Sequence, residues 1–335
     1  MLNTDPAAHA RFSLRQVPPA RPVADLAQDA RDGLIERPRS LPPKYFYDDR
    51  GSRLFDAICD TPEYYPTRTE NALLERYAAQ IMAAADPEHI IEFGSGTSRK
   101  TLHLLEACAA EACYWPFDVC ESMLRESGSA LVESYDWLQV NALVGDYLGG
   151  LARLPRPEGK RLLVFLGGTI GNFEPGQAHE FLCEVRESME PGDTLLLGAD
   201  RVKDPHILHA AYNDAAGITA EFNLNLLRVL NRELEADFDL GGFRHQARYN
   251  RALEQIEMYL VARRAQQVRL GALDADLEFA NGEAILTEIS RKFTPASLES
   301  LLGAAGLVVD RHFEPPNGYF SLVLARPSDA PVRPV

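Results

Sequence analysis

Between residues 69 and 202, short unbroken apolar runs alternate with stretches of helix length, and this alternation restricts the fold more than any other feature. A strand that is apolar at successive positions must be buried on both faces. A parallel sheet with helices on either side provides that burial. The pattern predicts a helix over Thr69–Ala85 before strand His89–Phe93, and a helix over Thr97–Ala110 before strand Tyr114–Asp118. A helix over Glu121–Val132 leads to strand Gln139–Val144, and strand Leu162–Leu166, helix Gly176–Met189 and strand Thr194–Gly198 complete the series. The fold class is therefore α/β, with a mostly parallel sheet.

The pattern changes after residue 203. Helices at His206–Ala216 and Ala220–Leu230 precede period-two segments such as Gln255–Ala262, which suit antiparallel strands with one solvated face. A helix at Pro295–Ala305 and strands at Leu307–Phe313 and Tyr319–Ala325 close the chain, the last two expected to rejoin the first sheet with one of them antiparallel. Residues 37–68 are dense in Pro, Tyr and Arg, and prolines fix extended approaches to a short helix at Ser52–Cys59. Two domains are expected. A discontinuous α+β domain comprises 1–68 and 203–292, with 1–25 disordered or draped over the surface, and the parallel-sheet domain comprises 69–202 and 293–335.

The net charge of −15 disfavours nucleic acid and anionic membrane as partners and otherwise serves solubility. The five cysteines, Cys59, Cys108, Cys113, Cys120 and Cys183, form no CxxC pair, and the eight histidines show no metal-ligand spacing. Reduced thiols, the lack of a signal-peptide pattern and the lack of a membrane-length apolar run fit a cytoplasmic protein without a metal.

The string Glu92-Phe93-Gly94-Ser95-Gly96-Thr97-Ser98-Arg99-Lys100 follows the apolar run Ile90-Ile91 of the first predicted strand. A glycine turn between strand and helix lets a nucleotide-like ligand approach the backbone. A dinucleotide fingerprint needs a third glycine where this chain has Arg99, which points away from NAD and toward S-adenosylmethionine, a cofactor with no pyrophosphate to cradle.

Ligands of open α/β sheets lie beyond the carboxyl ends of the strands. Asp118 ends the second strand, where an acid can take paired ribose hydroxyls. Asp146 follows the third, placed to accept from an adenine amino group while Tyr147 lies against the ring. Asp also favours turns for local hydrogen bonding, so each acid alone has a bland reading. Asn172, in Leu166–Phe173, can orient an amino acid head group or simply complete a Gly-Asn turn. Tyr47, Tyr64, Tyr65 and Tyr212 can line a polar pocket or pack as core residues with satisfied hydroxyls. Glu288 and Ser290 share a strand face by alternation, either to hold a cationic or imidazole-like group or to meet solvent.

Five strings occur together and in order: Leu41–Asp48, Thr61–Glu70, Glu92–Lys100, Phe165–Asn172 and Leu286–Ser290. With them the chain closely resembles the L-histidine Nα-methyltransferases of ergothioneine biosynthesis, over residues 30 to 326. The resemblance implies a Rossmann-like methyltransferase domain with a family-specific substrate domain. It implies three successive methylations of the histidine α-amine to hercynine by a monomer. Carried over by position, the cofactor site comprises Gly94, Lys100, Asp118, Asp146 and Tyr147. Tyr64, Asn172 and Tyr212 fall at the substrate carboxylate, Glu288 and Ser290 at the imidazole, Tyr47 near the amine and Met258 in the pocket wall. The sequence departs mildly from the pattern at Tyr147, in place of Phe, and Gly168, in place of Ser. Other amine methyltransferases, an NAD-linked oxidoreductase and a non-catalytic binding protein are the competing expectations.

Overall fold

The computed structural model describes residues 10–108 and 111–328. Among these, fourteen strands are found: β1 (Phe12–Gln16), β2 (Arg39–Ser40), β3 (His89–Phe93), β4 (Cys113–Asp118), β5 (Gln139–Val144), β6 (Arg161–Phe165), β7 (Thr194–Asp200), β8 (Phe243–Asn250), β9 (Gln255–Ala262), β10 (Gln266–Leu270), β11 (Ala275–Phe279), β12 (Ala284–Arg291), β13 (Leu307–Phe313) and β14 (Phe320–Pro327). Eight of them form one sheet in the order β1-β5-β4-β3-β6-β7-β14-β13. Neighbours run parallel from β1 to β7, and β14 enters antiparallel to both β7 and β13, as the sequence predicts for the closing pair.

The apolar runs divide between two cores, one on each face of this sheet. Ile91, Phe93, Leu163, Phe165, Leu195 and Leu197 face one core, while Ile90, Leu162, Val164 and Leu196 face the other. This period-two split is why the runs carry no polar face. Strand order reverses direction between β3 and β6, so the loops after these two strands adjoin at the topological switch point.

A second, four-stranded sheet has the order β2-β12-β9-β8, and β10 and β11 form a separate hairpin. Its core takes in Phe46, Tyr64, Tyr65, Tyr212, Phe222 and Met258. Residues from both ends of the sequence interval therefore meet there, because β2 pairs with β12 across some 250 residues of chain and the helix Asp49–Cys59 packs near the helix Ile218–Glu233.

Two expectations are corrected. Residues 1–9 lie outside the described residues, but Phe12–Gln16 is neither draped nor disordered: it pairs in parallel with β5 as the edge of the large sheet. Gly128 makes room for it, since a Cβ there would sit 2.4 Å from Phe12 Cε2. Arg11 fixes its start by donating to the carbonyls of Val132 and Tyr135 at 2.7 and 2.6 Å, which ends the helix Glu121–Ser134. The helix expected over Thr97–Ala110 is much shorter, Leu102–Glu106, with Ala109 and Ala110 outside the described residues. Gly96 and Ser98 hold positive φ of 51° and 57°, which a residue inside a right-handed helix does not take, so the glycine turn runs into a further turn before the helix begins.

Candidate active site

Phe93 ends β3 and Gly94 turns the chain with φ of 68°, a conformation glycine enters without a Cβ penalty. A Cβ at Gly94 would lie 3.6 Å from Cε1 of Tyr147, so the turn and the ring border one space. Asp118, at the end of β4, accepts from Gly96 N through Oδ2 and from Cys120 N through Oδ1, both at 2.9 Å. Burial raises its pKa, and those backbone donors pull it back. Asp146 follows β5 and accepts from Leu148 N at 2.8 Å, capping the turn that carries Tyr147. The Tyr147 ring rests on Phe165, Phe173 and Phe181 at centroid distances of 5.8, 6.1 and 5.8 Å. Four of the five sequence-predicted cofactor residues thus share one rim.

The fifth, Lys100, reveals a residue that sequence reasoning missed. Its Nζ lies 2.5 Å from Oε2 of Glu70, a carboxylate 1% exposed on the helix Tyr65–Ala85. Both Glu70 oxygens also accept from Gly167 N, at 2.9 and 3.0 Å. Glu70 therefore ties the loop after β3 to the loop after β6. Gly198 on β7 leaves it space, as a Cβ there would come within 2.2 Å of Oε1. Glu70→Ala should cost about 2–3 kcal/mol of stability, below the full cost of orphaning a buried charge because Lys100 keeps some water. Urea unfolding of the ligand-free protein measures this, and a loss within about 0.5 kcal/mol, typical of surface changes, would show that the tie carries no weight.

Glu92 is buried beneath the same turn. It accepts from Thr101 Oγ1 at 2.6 Å and from the Tyr114 hydroxyl. Burial pushes its pKa up to about 7 against those two bonds.

A second group, aromatic, belongs to the core beneath the four-stranded sheet. Tyr47 packs edge-on against Phe55 and Phe222 at 5.7 and 5.8 Å, Phe55 meets Tyr64 at 6.3 Å, and Tyr64 meets Tyr212 at 6.2 Å. Burial raises the pKa of all three phenols, and the Glu288 charge raises each further. Glu288 is itself pushed up to about 7 by burial, with Lys292 opposing. It lies opposite Met258 in the β9–β12 register, just past an irregularity at Thr287. Tyr212 donates to Ser290 Oγ at 2.8 Å. Asn172 ends the turn Thr169–Asn172, and that turn is pressed onto β12: a Cβ on Gly171 would lie 2.6 Å from the Arg291 carbonyl oxygen. Tyr65, by contrast, belongs to an ion-pair network, donating to Asp200 Oδ2 at 2.7 Å. Gly168 takes φ of 67°, where a serine would be strained. Among the described residues no cluster of three or more His, Cys, Asp or Glu is placed to hold a metal ion.

The raised Glu288 pKa has a consequence for stability. An acid whose pKa is higher folded than unfolded stabilises the fold fully below its unfolded value and loses that contribution as pH rises through the folded one. Here the window is from 4.5 to about 7. Glu288→Gln should therefore match the ligand-free wild type at pH 4.5 and exceed it by roughly 2–3 kcal/mol at pH 8. Chemical unfolding at both pH values checks it; an equal difference at each would mean the carboxyl sits in water.

A doubly wound sheet with a reversed penultimate strand, a glycine turn lacking its third glycine, and acids closing the next two strands together define a Rossmann-like methyltransferase. The model of the histidine-specific, S-adenosylmethionine-dependent methyltransferases matches residues 26–327, and the chain belongs to that family. It is 50% identical over 303 residues to the histidine N-alpha-methyltransferase of Mycolicibacterium smegmatis, spanning 90% of this chain and 94% of that one. It is 48% identical over the same length to the histidine N-alpha-methyltransferase of Mycobacterium tuberculosis, with the same coverage. Ergothioneine biosynthesis protein 1 of Neurospora crassa is 34% identical over 286 residues, which are 79% of this chain and 32% of that longer protein. The methyl donor of the family is S-adenosylmethionine.

Proposed function

We propose that this protein methylates the α-amino group of L-histidine three times to give hercynine, the first step of ergothioneine biosynthesis. The observation that carries the reading is the placing of Glu288 and Ser290 on one strand face beside Tyr212, with the tyrosine cluster facing them. In this reading the described parts of 1–68 and 203–292 form the substrate-binding lobe and those of 69–202 and 293–335 the methyltransferase lobe, with the edge strand Phe12–Gln16 lent to the latter.

The turn at Gly94 and Gly96 fits a ligand that must pass close to the backbone, and Asp118 keeps a second lone pair on each oxygen for ribose hydroxyls. Asp146 accepts from the adenine amino group, Tyr147 covers the ring, and Lys100 completes the set. When bound, S-adenosylmethionine supplies a methyl group activated by a sulfonium. Tyr64 and Asn172 donate to the histidine carboxylate, Tyr212 lines that end through its ring while its hydroxyl hydrogen goes to Ser290, Met258 closes the wall, and Glu288 with Ser290 grips the imidazole. In-line transfer depends on that positioning and on a neutral amine. Tyr47, whose pKa is raised by burial, stays a phenol at neutral pH, so it relays the amine proton through water rather than keeping it. As methyls accumulate the amine loses its N–H donors, so affinity must rest on the carboxylate and ring ends, which never change. The five cysteines are free, and no described helix is long and apolar enough to cross a membrane. The reading takes the enzyme as a cytoplasmic monomer acting on small molecules.

Incubation with histidine and S-adenosylmethionine followed by mass spectrometry should show mono-, di- and trimethylated histidine. Product from a different amine and none from histidine would overturn the substrate.

A further inference from the structure

Behind the proposed ring pocket lies a buried charge for which the methyl-transfer scheme has no use. Lys292 follows directly on β12, so Glu288, Ser290 and Lys292 share a face at every second position. Its side chain is 0% exposed. Its Nζ donates to Ser290 Oγ at 2.8 Å and to Tyr212 Oη at 3.0 Å, and pairs with Asp200 Oδ2 at 2.9 Å. All three ammonium hydrogens are thereby used. Asp200 is held independently by Lys203 Nζ at 2.5 Å and by the Tyr65 hydroxyl at 2.7 Å.

Counting hydrogens on the two hydroxyls gives a definite result. Tyr212 donates to Ser290 Oγ, and Lys292 donates to the same oxygen. A hydroxyl oxygen has two lone pairs, so Ser290 can accept nothing more and its own hydrogen has no partner within the network. A phenol is more acidic than an aliphatic hydroxyl, so Tyr212 keeps the donor role and the surplus hydrogen stays on Ser290. With the ammonium behind it, Ser290 therefore has one hydrogen to give. Without it, one lone pair on Ser290 is released and the hydroxyl can turn to accept.

We propose that Lys292 is a positioning residue that holds Ser290 as a hydrogen-bond donor, so that the pocket reads opposite characters at the two ring nitrogens: an acceptor at Ser290 and an N–H at Glu288. This rests on histidine being the substrate. It makes the pocket select a neutral imidazole in one tautomer against rings that keep an N–H but lack the second, accepting nitrogen. The chemical reason is that a donor facing a C–H is left unpaired.

The test compares histidine with the two pyrrolylalanine isomers, each of which keeps a ring N–H and replaces the other nitrogen by carbon. Wild type should prefer histidine over both isomers by on the order of 30-fold in kcat/KM. In Lys292→Met the KM for histidine should rise roughly tenfold, kcat and S-adenosylmethionine affinity should stay within about threefold, and the preference should fall to about threefold. Ser290→Ala should lose the same preference with Lys292 in place, which decides the matter if the lysine variant does not fold. Retention of the wild-type preference by folded Lys292→Met, or by Ser290→Ala, overturns the proposal while leaving histidine methylation standing. A wild type that methylates neither histidine nor its analogues would instead remove the substrate reading and the proposal with it.

Discussion

Glu288→Ala should weaken histidine binding on the order of 100-fold while leaving S-adenosylmethionine affinity within about twofold, a loss of roughly 3 kcal/mol confined to one ligand. The size follows from what the carboxylate does. It is buried, it has no donor of its own strand to satisfy it, and its pKa of about 7 records the cost of holding charge there without a ligand. A ring N–H turned toward it forms a charge-assisted bond and removes part of that cost, so the interaction exceeds an ordinary neutral hydrogen bond. Alanine leaves the N–H facing apolar neighbours such as Met258, with nothing to accept it. Isothermal calorimetry with each ligand separately provides the measurement. Equal losses for both ligands would mean that the substitution disturbs the fold rather than the ring contact, and would remove Glu288 from the proposed site.

The parts of this protein that sequence makes readable are those governed by periodicity and by local turn chemistry. The strand His89–Phe93 and the strand Gln139–Val144 are found at the residues their apolar runs mark, because a buried parallel strand needs nothing beyond that run. Phe12–Gln16 escapes notice for the opposite reason: as an edge strand it is largely exposed, reads as mixed polar, and is specified by β5, more than 120 residues away. The short helix at Leu102–Glu106 is overestimated because Ser98 in a left-handed conformation has no composition signal. Among site residues, Glu288 and Ser290 are visible as alternating polar positions in a strand. Lys292 continues that same alternation, so the signal for it was present; its role was hidden because Asp200 and Tyr212, its partners, come from other parts of the chain. Glu70 gives no such cue, since a glutamate in a long helix reads as a solvated residue until Lys100 and Gly167 are brought to it.

Asp118→Ala is the counterpart on the cofactor side, with an expected loss of S-adenosylmethionine affinity on the order of 100- to 1000-fold, or about 3–4 kcal/mol. Two effects combine. Each carboxylate oxygen accepts one backbone N–H, from Gly96 or Cys120, and retains a further lone pair for a ribose hydroxyl. Removing the side chain therefore deletes two ligand bonds and also releases the glycine turn that the ligand must approach. Asp118→Asn separates the two effects, because the amide oxygen still accepts from one N–H while the NH₂ group faces the other donor and cannot. Burial already penalises the ionised acid, so hydroxyl donors arriving with the ligand stabilise the charge and strengthen binding above the Asp118 pKa. Calorimetry should accordingly find the asparagine variant between wild type and alanine for S-adenosylmethionine, with histidine affinity within about threefold of wild type in both. Unchanged S-adenosylmethionine affinity in Asp118→Ala would show that the acid serves the turn alone and that the ribose is held elsewhere.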